Sequence, residues 1–344
     1  MKNVYIDPCS YIFLADRLFG EDLYIWYFIK NYCRQKGIYL KTVDFWNNKN
    51  KSPDDVYVSF EHKNFLQRLY WRTKNRNYPI VDSNHFKKKI LFQGEAPVAT
   101  PEVYKNIDGL LKKYDEVYFS SKVDNPRCRY FHIPRKYNDI MPDLWQNRQR
   151  GFLTMINANR KPRSLGQTPT KNGGFYYKEL FSERIKAIEF FSRNKEINLY
   201  GYDWEKTPFF FPQFKPAIKR VYKGTIIGGI EGKCSVMSRY NFAICFENSI
   251  APGYISEKIF HCFYVGTIPI YLGAPDIKDY VSENCFIDMR DFGSYAELRN
   301  FLNSLTQKDI ENYRENARQF LKSEKFKPFT TEYFAEKFIN IVEK

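Results

Sequence analysis

The chain of 344 residues has no run of apolar residues near the ~18 that a membrane-spanning helix requires. Histidine is scarce. His62, His85, His132 and His261 stand apart at no metal-ligand spacing. The seven cysteines are an odd number and include no CxxC pair, which speaks against a zinc framework. No GxGxxG opens a βα turn, and no GxxxxGK[ST] phosphate loop occurs. Internal repeats and low-complexity tracts are missing too. The N-terminal stretch does not read as a signal peptide, because Asp7 and Pro8 interrupt it and no small-residue cleavage site follows. These absences lead to the expectation of a cytoplasmic protein with reduced thiols and no resident metal.

What is present argues for a folded enzyme-sized chain. Hydrophobic residues make up 43% and aromatics 18%, a composition that can bury a core. The length allows two domains. Lys and Arg number 54 against 39 Asp and Glu, a net charge of +15 that favours anionic partners: nucleotides, nucleic acid or an anionic membrane face.

The most informative stretch runs from Tyr240 to Phe292. Phe242 to Phe246, Ile268 to Leu272 and Cys285 to Met289 are short apolar runs bounded by turn residues, and read as buried strands. Between the first two lie a polar turn, Glu247 to Gly253, and a helix. Ser256 is its N-cap, Ile259, Phe260 and Phe263 form its apolar face, and Gly266 fits the position that closes it. In open α/β sheets, ligands sit where the strand ends and the helix begins. Lys258 falls in the first helical turn, where the macrodipole disfavours a cation. An anion bound there would remove the conflict, and Glu257 beside it can accept hydrogen bonds from a ribose diol. The plain alternative is a solvated Glu-Lys pair on a surface helix.

The same stretch resembles the donor-binding motif of the α-1,3/1,4-fucosyltransferase family. The resemblance is carried by Phe246-Glu247-Asn248, by Tyr254-Ile255-Ser256-Glu257-Lys258 and by Thr267-Ile268-Pro269-Ile270-Tyr271-Leu272-Gly273. Outside about Met155 to Phe292 it is thin. It implies a GT-B architecture, that is, two Rossmann-like α/β domains with a central cleft and a C-terminal closing helix. It also implies GDP-fucose as donor substrate with no required cofactor. Golgi members of the family carry a membrane anchor. The expectation here is instead a bacterial or viral cytoplasmic enzyme, with peripheral association at the inner face of a membrane allowed by the charge.

Strands alternate with helices along the first half, as in a parallel sheet. Strands are expected at Val4–Ile6, Tyr39–Phe45, Val56–Phe60, Ile90–Gln93, Val117–Ser120 and Tyr130–Ile133. Helices are expected at Leu23–Cys33, Phe65–Lys74 and Val103–Tyr114. A polar stretch, Arg135 to Arg150, places the domain boundary: 1–150 for an acceptor-binding domain and 151–344 for a nucleotide-sugar domain. The second begins with a strand at Phe152–Ile156. A basic loop follows, then a helix at Tyr176–Phe191 and a strand at Ile197–Tyr200. Phe209 to Lys233 reads as an irregular basic segment, within which the glycine-bearing Gly224 to Gly232 is expected to be a mobile loop near the donor. Helices at Tyr295–Leu305, Ile310–Leu321 and Phe334–Val342 close the chain.

Sugar transfer from a nucleoside diphosphate needs a base for the acceptor hydroxyl, positive charge for the departing diphosphate, and alignment of the two substrates. Glu95, in the turn Gly94-Glu95 after a strand, is the base candidate. The family has a similar turn whose Glu is taken as the base. Lys258 and Arg184 are the candidates for the diphosphate, with Arg160 and Arg163 of the basic loop as rivals. Tyr254 is assigned to the nucleoside, and Glu247 and Asn248 to the donor site. Asp54-Asp55 and Asp288-x-x-Asp291 are set aside as metal carboxylates, in favour of charge supplied by Lys and Arg. The leading expectation is an inverting fucosyltransferase that acts on a glycan hydroxyl, α-1,3 on an N-acetylglucosamine-type residue. The alternatives are the same fold with another nucleotide sugar, or a non-catalytic nucleic-acid-binding basic protein. Against the latter, the basic residues are scattered and no recognised nucleic-acid motif occurs, so no nucleic-acid partner is expected.

Overall fold

The computed structural model describes residues 2–47, 52–78, 85–146, 149–160, 167–169, 176–206, 208 and 211–344. The chain forms two compact units. One holds the chain through Lys136 together with Pro328–Lys344, and the other holds Tyr137–Pro169 and Tyr176–Lys327.

The first unit is built on six parallel strands: β1 (Lys2–Asp7), β2 (Ile38–Thr42), β3 (Val56–Phe60), β4 (Lys88–Gln93), β5 (Glu116–Phe119) and β6 (Cys128–Tyr130). Their spatial order is β2-β1-β3-β4-β5-β6, so the direction of winding reverses between β1 and β3. These strands are short and rich in Val, Ile, Tyr and Phe, as residues buried on both faces of a parallel sheet must be. Val4, Ile6, Val56, Val58 and Ile90 are fully buried. The helix Tyr24–Gln35 covers this core through Ile29 and Cys33. The last helix, Thr331–Glu343, brings Phe334, Ala335, Phe338 and Val342 into the same core.

The second unit holds β7 (Gly151–Ile156), β8 (Gln167–Pro169), β9 (Tyr176–Glu179), β10 (Ile197–Tyr200), β11 (Tyr240–Phe246), β12 (Ser249–Ile250), β13 (Ile268–Leu272) and β14 (Ile287–Asp288). The main sheet is parallel in the order β10-β7-β11-β13-β14, with its winding reversal between β7 and β11. A small antiparallel sheet, β12-β9-β8, stands beside it. The helices Phe181–Ser192 and Tyr295–Ser304 pack Ile188, Phe191, Leu298 and Leu302 onto the main core.

Several expected elements change. The boundary expected at 150/151 falls after Lys136, because 137–150 are tied to the second unit. Met141 N donates to Tyr264 O at 2.7 Å, and Arg150 Nη2 donates to Val265 O at 2.8 Å. The C-terminal segment expected in the second domain returns to the first. The helix expected over Tyr176–Phe191 begins only at Phe181. Tyr176–Glu179 is instead a strand, whose Lys178 and Glu179 pair with Ile250 and Ser249. The single helix expected over Val103–Tyr114 is two, Pro101–Lys105 and Ile107–Lys113, broken at Asn106 with φ −123° and ψ 41°. The strand expected through Phe45 ends at Thr42 and passes into a 3₁₀ turn. The one expected over Tyr130–Ile133 is placed earlier, at Cys128–Tyr130, and Cys285 lies in a 3₁₀ turn ahead of β14. The segment expected to be irregular instead holds the helix Lys215–Val221, and the mobile loop expected over Gly224–Gly232 passes at Gly229 into the helix Gly229–Met237; Ile218, Val221 and Cys234 anchor the two. Helix formers between its glycines carry those turns.

Candidate active site

In the second unit the site residues gather at the C-terminal edge of the main sheet. β11 ends at Phe246, and Glu247 N donates to Leu272 O at 2.8 Å across the ends of β11 and β13. The Glu247 side chain turns inward and is fully buried. Its carboxylate accepts from Ser256 N at 2.7 Å, Ser256 Oγ at 2.7 Å and Lys258 Nζ at 3.0 Å. Lys258 Nζ also donates to Ser256 Oγ at 2.8 Å. A buried carboxylate is tolerable only when paired and hydrogen-bonded, and this one is both. The helix Glu257–Val265 starts as expected, with Ser256 as N-cap and Gly266 at φ +66° closing it.

Here the conflict between Lys258 and the helix dipole has an internal resolution. The compensating anion is the protein's own Glu247. Burial works against the Lys258 ammonium, but the carboxylates of Glu247 and Glu257 outweigh it and hold its pKa above the ordinary lysine range. Its side chain remains 19% exposed. Glu247, expected among the donor contacts, therefore acts within the protein by fixing the helix start.

Gly273 is needed for the same arrangement. A Cβ there would meet Glu247 Cγ and the Tyr271 hydroxyl, each at 2.5 Å. Thr267, which opens the same run of the motif, donates from Oγ1 to Met237 O at 2.8 Å and to Tyr240 O at 3.1 Å.

Arg184 comes to the same turn from the helix Phe181–Ser192 and is 2% exposed. Its Nη2 lies 2.6 Å from Phe246 O, 2.7 Å from Glu247 O and 3.0 Å from Asn248 Oδ1. Burial pulls its pKa down to about 10, with the Glu247 charge opposing, so it stays a cation at neutral pH. Its Nε is buried without a hydrogen-bond partner. The guanidinium thus holds the Phe246-Glu247-Asn248 turn rather than standing open to a diphosphate. Asn248 O accepts from Leu180 N at 3.0 Å, which ties the turn to the base of the Arg184 helix.

Tyr254, expected as a nucleoside platform, is 4% exposed and packs inside the unit. Glu257 is half-buried at the helix start. Arg160 is exposed after β7, and Arg163 lies outside the described residues. Asp288, one of the carboxylates set aside, is tied to Arg290 through Nε at 2.8 Å and Nη2 at 2.6 Å.

In the first unit, Glu95 is exposed in the turn after β4, at the C-terminal edge of that unit's sheet. The turn is held from below by Glu61, which follows β3. Glu61 Oε1 accepts from Gly94 N at 2.8 Å and Glu95 N at 2.9 Å, and Glu61 Oε2 accepts from Gln93 Nε2. Glu61 has a left-handed backbone, φ +69°, a cost of ~1 kcal/mol or more for a residue with a Cβ. Burial pushes its carboxyl up to about 7, and the nearby Glu95 charge adds to the effect.

Beside this turn lies a charged cluster that sequence reasoning missed. Asp7 ends β1 and is fully buried, 3.2 Å from Lys63 Nζ and 3.7 Å from Arg68 Nη1. The hydroxyls of Tyr57 and Tyr78 also donate to it. His62 Nδ1 is 3.2 Å from Tyr114 Oη, and burial pulls its pKa down to about 3. The one advance signal for these groups was their position after β1 and β3, where the winding reverses.

Two parallel α/β units, each with polar residues at its strand ends, form a fold of the GT-B type. Residues 181–343 match the family model for glycosyltransferase family 10 (fucosyltransferase), C-terminal part. Through this segment, just under half of its length, the chain is similar to that family. An α-(1,3)-fucosyltransferase of Helicobacter pylori is 31% identical over 83 residues, 24% of this chain and 17% of that protein. An α-(1,4)-fucosyltransferase of Arabidopsis thaliana is 38% identical over 69 residues, 20% of this chain and 17% of that protein. The chain therefore spans about a sixth of the length of these curated relatives. Among solved structures, an α1,3-fucosyltransferase with GDP-fucose aligns with a TM-score of 0.52 and 15% identity, covering 100% of this chain and 90% of the other. An α-glucosyltransferase in complex with UDP and a 13-mer DNA aligns with a TM-score of 0.60 and 10% identity over 100% of both chains. At such identities these two likenesses show the fold.

Proposed function

We propose that this protein is an inverting glycosyltransferase that moves fucose from GDP-fucose to a hydroxyl of a glycan acceptor, α-1,3 on an N-acetylglucosamine-type residue. The observation that carries the reading is that the family match covers the segment in which Arg184, Glu247, Ser256 and Lys258 form one hydrogen-bonded lattice at the strand ends.

In this reading Lys258 serves the diphosphate. An ammonium has three donors, and Glu247 and Ser256 take two, which leaves one for a phosphate oxygen at the helix N-terminus. Glu257 serves the ribose diol, and Asn248 the donor hydroxyls. Arg184 acts through the turn it holds, as a positioning residue, with Arg160 and Arg163 as further candidates for the diphosphate. Glu95 takes the proton of the acceptor hydroxyl as its oxygen attacks the anomeric carbon. The bond to the diphosphate breaks on the opposite face, GDP leaves with the electron pair, and the configuration inverts. The charge neutralisation is assigned to protein cations and requires no cofactor. The cytoplasmic setting belongs to the same proposal.

A second reading keeps the fold and changes the donor, since the Lys258 helix start recognises phosphate and ribose better than it recognises fucose. The α-glucosyltransferase likeness, with its bound UDP, favours testing it. Incubation of the pure protein with GDP-fucose, GDP-mannose, UDP-glucose and UDP-galactose, with glycan acceptors, separates the two. Transfer from GDP-fucose alone supports the first. Transfer from a UDP-sugar supports the second, and turnover of none refutes both.

A further inference from the structure

The helix Phe65–Lys74 of the first unit buries an arginine and exposes a face of four apolar residues with Thr73 among them. Its polar residue Arg68 is 5% exposed, while Phe65 is 63% exposed, Leu66 73%, Leu69 37% and Tyr70 50%. At about 100° of rotation per residue, these four apolar positions share one face about 140° wide. Arg68 and Trp71 lie on the opposite, buried side. The exposed face continues into Tyr11, whose ring meets that of Tyr70 at 5.9 Å, and into Ile12, which is 51% exposed. Contiguous apolar surface of this kind marks an interaction site.

Charge selects the kind of partner. On the same rotation, Arg72 lies at one border of the apolar face and Lys74 at the other. Both are exposed, as is Arg76 beyond the helix end. The sequence has no Asp or Glu between Glu61 and Asp82. Carboxylates around the helix are engaged within the protein: Asp7 with Lys63 and Arg68 on the buried side, Glu61 with the Gly94-Glu95 turn, and Asp44 with Ala15 N and Asn75 Nδ2 at 2.9 and 3.1 Å. The Lys74 ammonium lies over the Tyr70 ring, 5.4 Å from its centroid, so the cation sits at the edge of the apolar face. Apolar side chains flanked by cations, with no acid among them, match a bilayer interface carrying anionic headgroups. Single-stranded nucleic acid would call for stacking rings along a basic groove, and here the most exposed member of the face is an aliphatic residue, Leu66.

We propose that the helix Phe65–Lys74 is a membrane-docking element. It seats Phe65, Leu66, Leu69 and Tyr70 in the interface of an anionic bilayer while Arg72, Lys74 and Arg76 contact the headgroups. The helix is held to the protein from its other side, by Arg68 Nη2 donating to the Tyr57 hydroxyl at 3.1 Å and by a capping box between Asn64 and Gln67. The docking face is therefore presented ready-formed.

The test is co-sedimentation of the full chain with vesicles of phosphatidylcholine alone and of phosphatidylcholine with phosphatidylglycerol. The wild type should bind the anionic vesicles, more weakly as salt rises, and bind the neutral ones at least about tenfold less. The Phe65→Ser/Leu66→Ser and Arg72→Gln/Lys74→Gln variants should each lose about tenfold or more in vesicle affinity. Both should keep wild-type thermal unfolding and GDP binding, because the altered residues are exposed and distant in sequence from the donor lattice. Absence of vesicle binding, or binding unaffected by Phe65→Ser/Leu66→Ser, overturns the proposal. So does a concentration-dependent dimer abolished by those substitutions, which would assign the face to a second copy. Binding of a single-stranded oligonucleotide without vesicles would assign it to nucleic acid. None of these outcomes bears on donor transfer.

Discussion

Lys258 Nζ lies 3.0 Å from the carboxylate of Glu247, a fully buried residue, and both share the hydroxyl of Ser256. The cation therefore has two tasks: it neutralises a buried charge and it stands at a helix start suited to phosphate. Lys258→Ala is expected to weaken GDP binding by about 1–3 kcal/mol, the range for a charge-assisted hydrogen bond. It should also lower stability, because it strands the Glu247 carboxylate. Lys258→Ala/Glu247→Gln removes the stranded charge, so it should recover part of the stability and none of the affinity. Calorimetric GDP titration and urea unfolding of the three proteins read the two effects separately. Full affinity in Lys258→Ala would make the pair purely structural.

Arg184 offers the complementary case. Its Nη2 serves three oxygens of the Phe246-Glu247-Asn248 turn. Arg184→Ala leaves those oxygens without their donor and is expected to cost about 2–3 kcal/mol in urea unfolding. Arg184→Lys keeps a donor and the charge and should recover part of that loss. If Arg184→Ala left stability unchanged while abolishing GDP binding, the residue would be a direct diphosphate ligand instead.

The elements around this turn were legible because their signals are local. β13 runs over the residues expected of it, and Ser256 and Gly266 cap the helix as their side-chain chemistry dictates. What escaped reading were relations across long sequence separations. Nothing near Lys258 tells that its counter-ion is Glu247, and the helix-dipole argument supplied a ligand where the fold supplies a carboxylate. Tyr176–Glu179 looks like the start of the following helix in sequence because its partner strand, Ser249–Ile250, lies some seventy residues on. The same holds for Glu61, whose hold on the Gly94-Glu95 turn emerges only when β3 and β4 are set side by side.

Gly273→Ala is predicted to disturb the lattice without removing any polar group. The added methyl would meet Glu247 Cγ and the Tyr271 hydroxyl at 2.5 Å, and buried atoms at that spacing must move. A stability loss of about 1–3 kcal/mol, with weakened GDP binding, is the expected outcome in thermal unfolding and titration. A variant with unchanged stability and affinity would show that the turn is loosely packed.

Glu61 and Glu95 give the last prediction, since the backbone N–H of Glu95 donates to Glu61 at 2.9 Å. The Glu61 carboxyl has its pKa raised from 4.5 to about 7. The folded state therefore holds its proton more tightly than the unfolded chain does. This contribution to stability is complete below pH 4.5, falls as pH rises, and is lost above about 7. Over that window the loss is on the order of 3 kcal/mol. Glu61→Gln, which keeps the shape of the side chain and cannot ionise, should be flatter than the wild type between pH 4.5 and 7 in urea unfolding. Activity separates the two carboxylates. Glu95→Gln removes the proposed base and should lower transfer by ~10²–10⁴-fold at all pH values, with GDP affinity near normal because Glu95 is assigned no contact to the nucleotide. Glu61→Gln should leave the base in place and lower transfer less, chiefly by altering how the rate varies with pH near neutrality. If Glu95→Gln stayed within a few-fold of the wild type while Glu61→Gln lost transfer at every pH, the proton acceptor would be Glu61, and the exposed Glu95 would be a turn residue that it happens to hold.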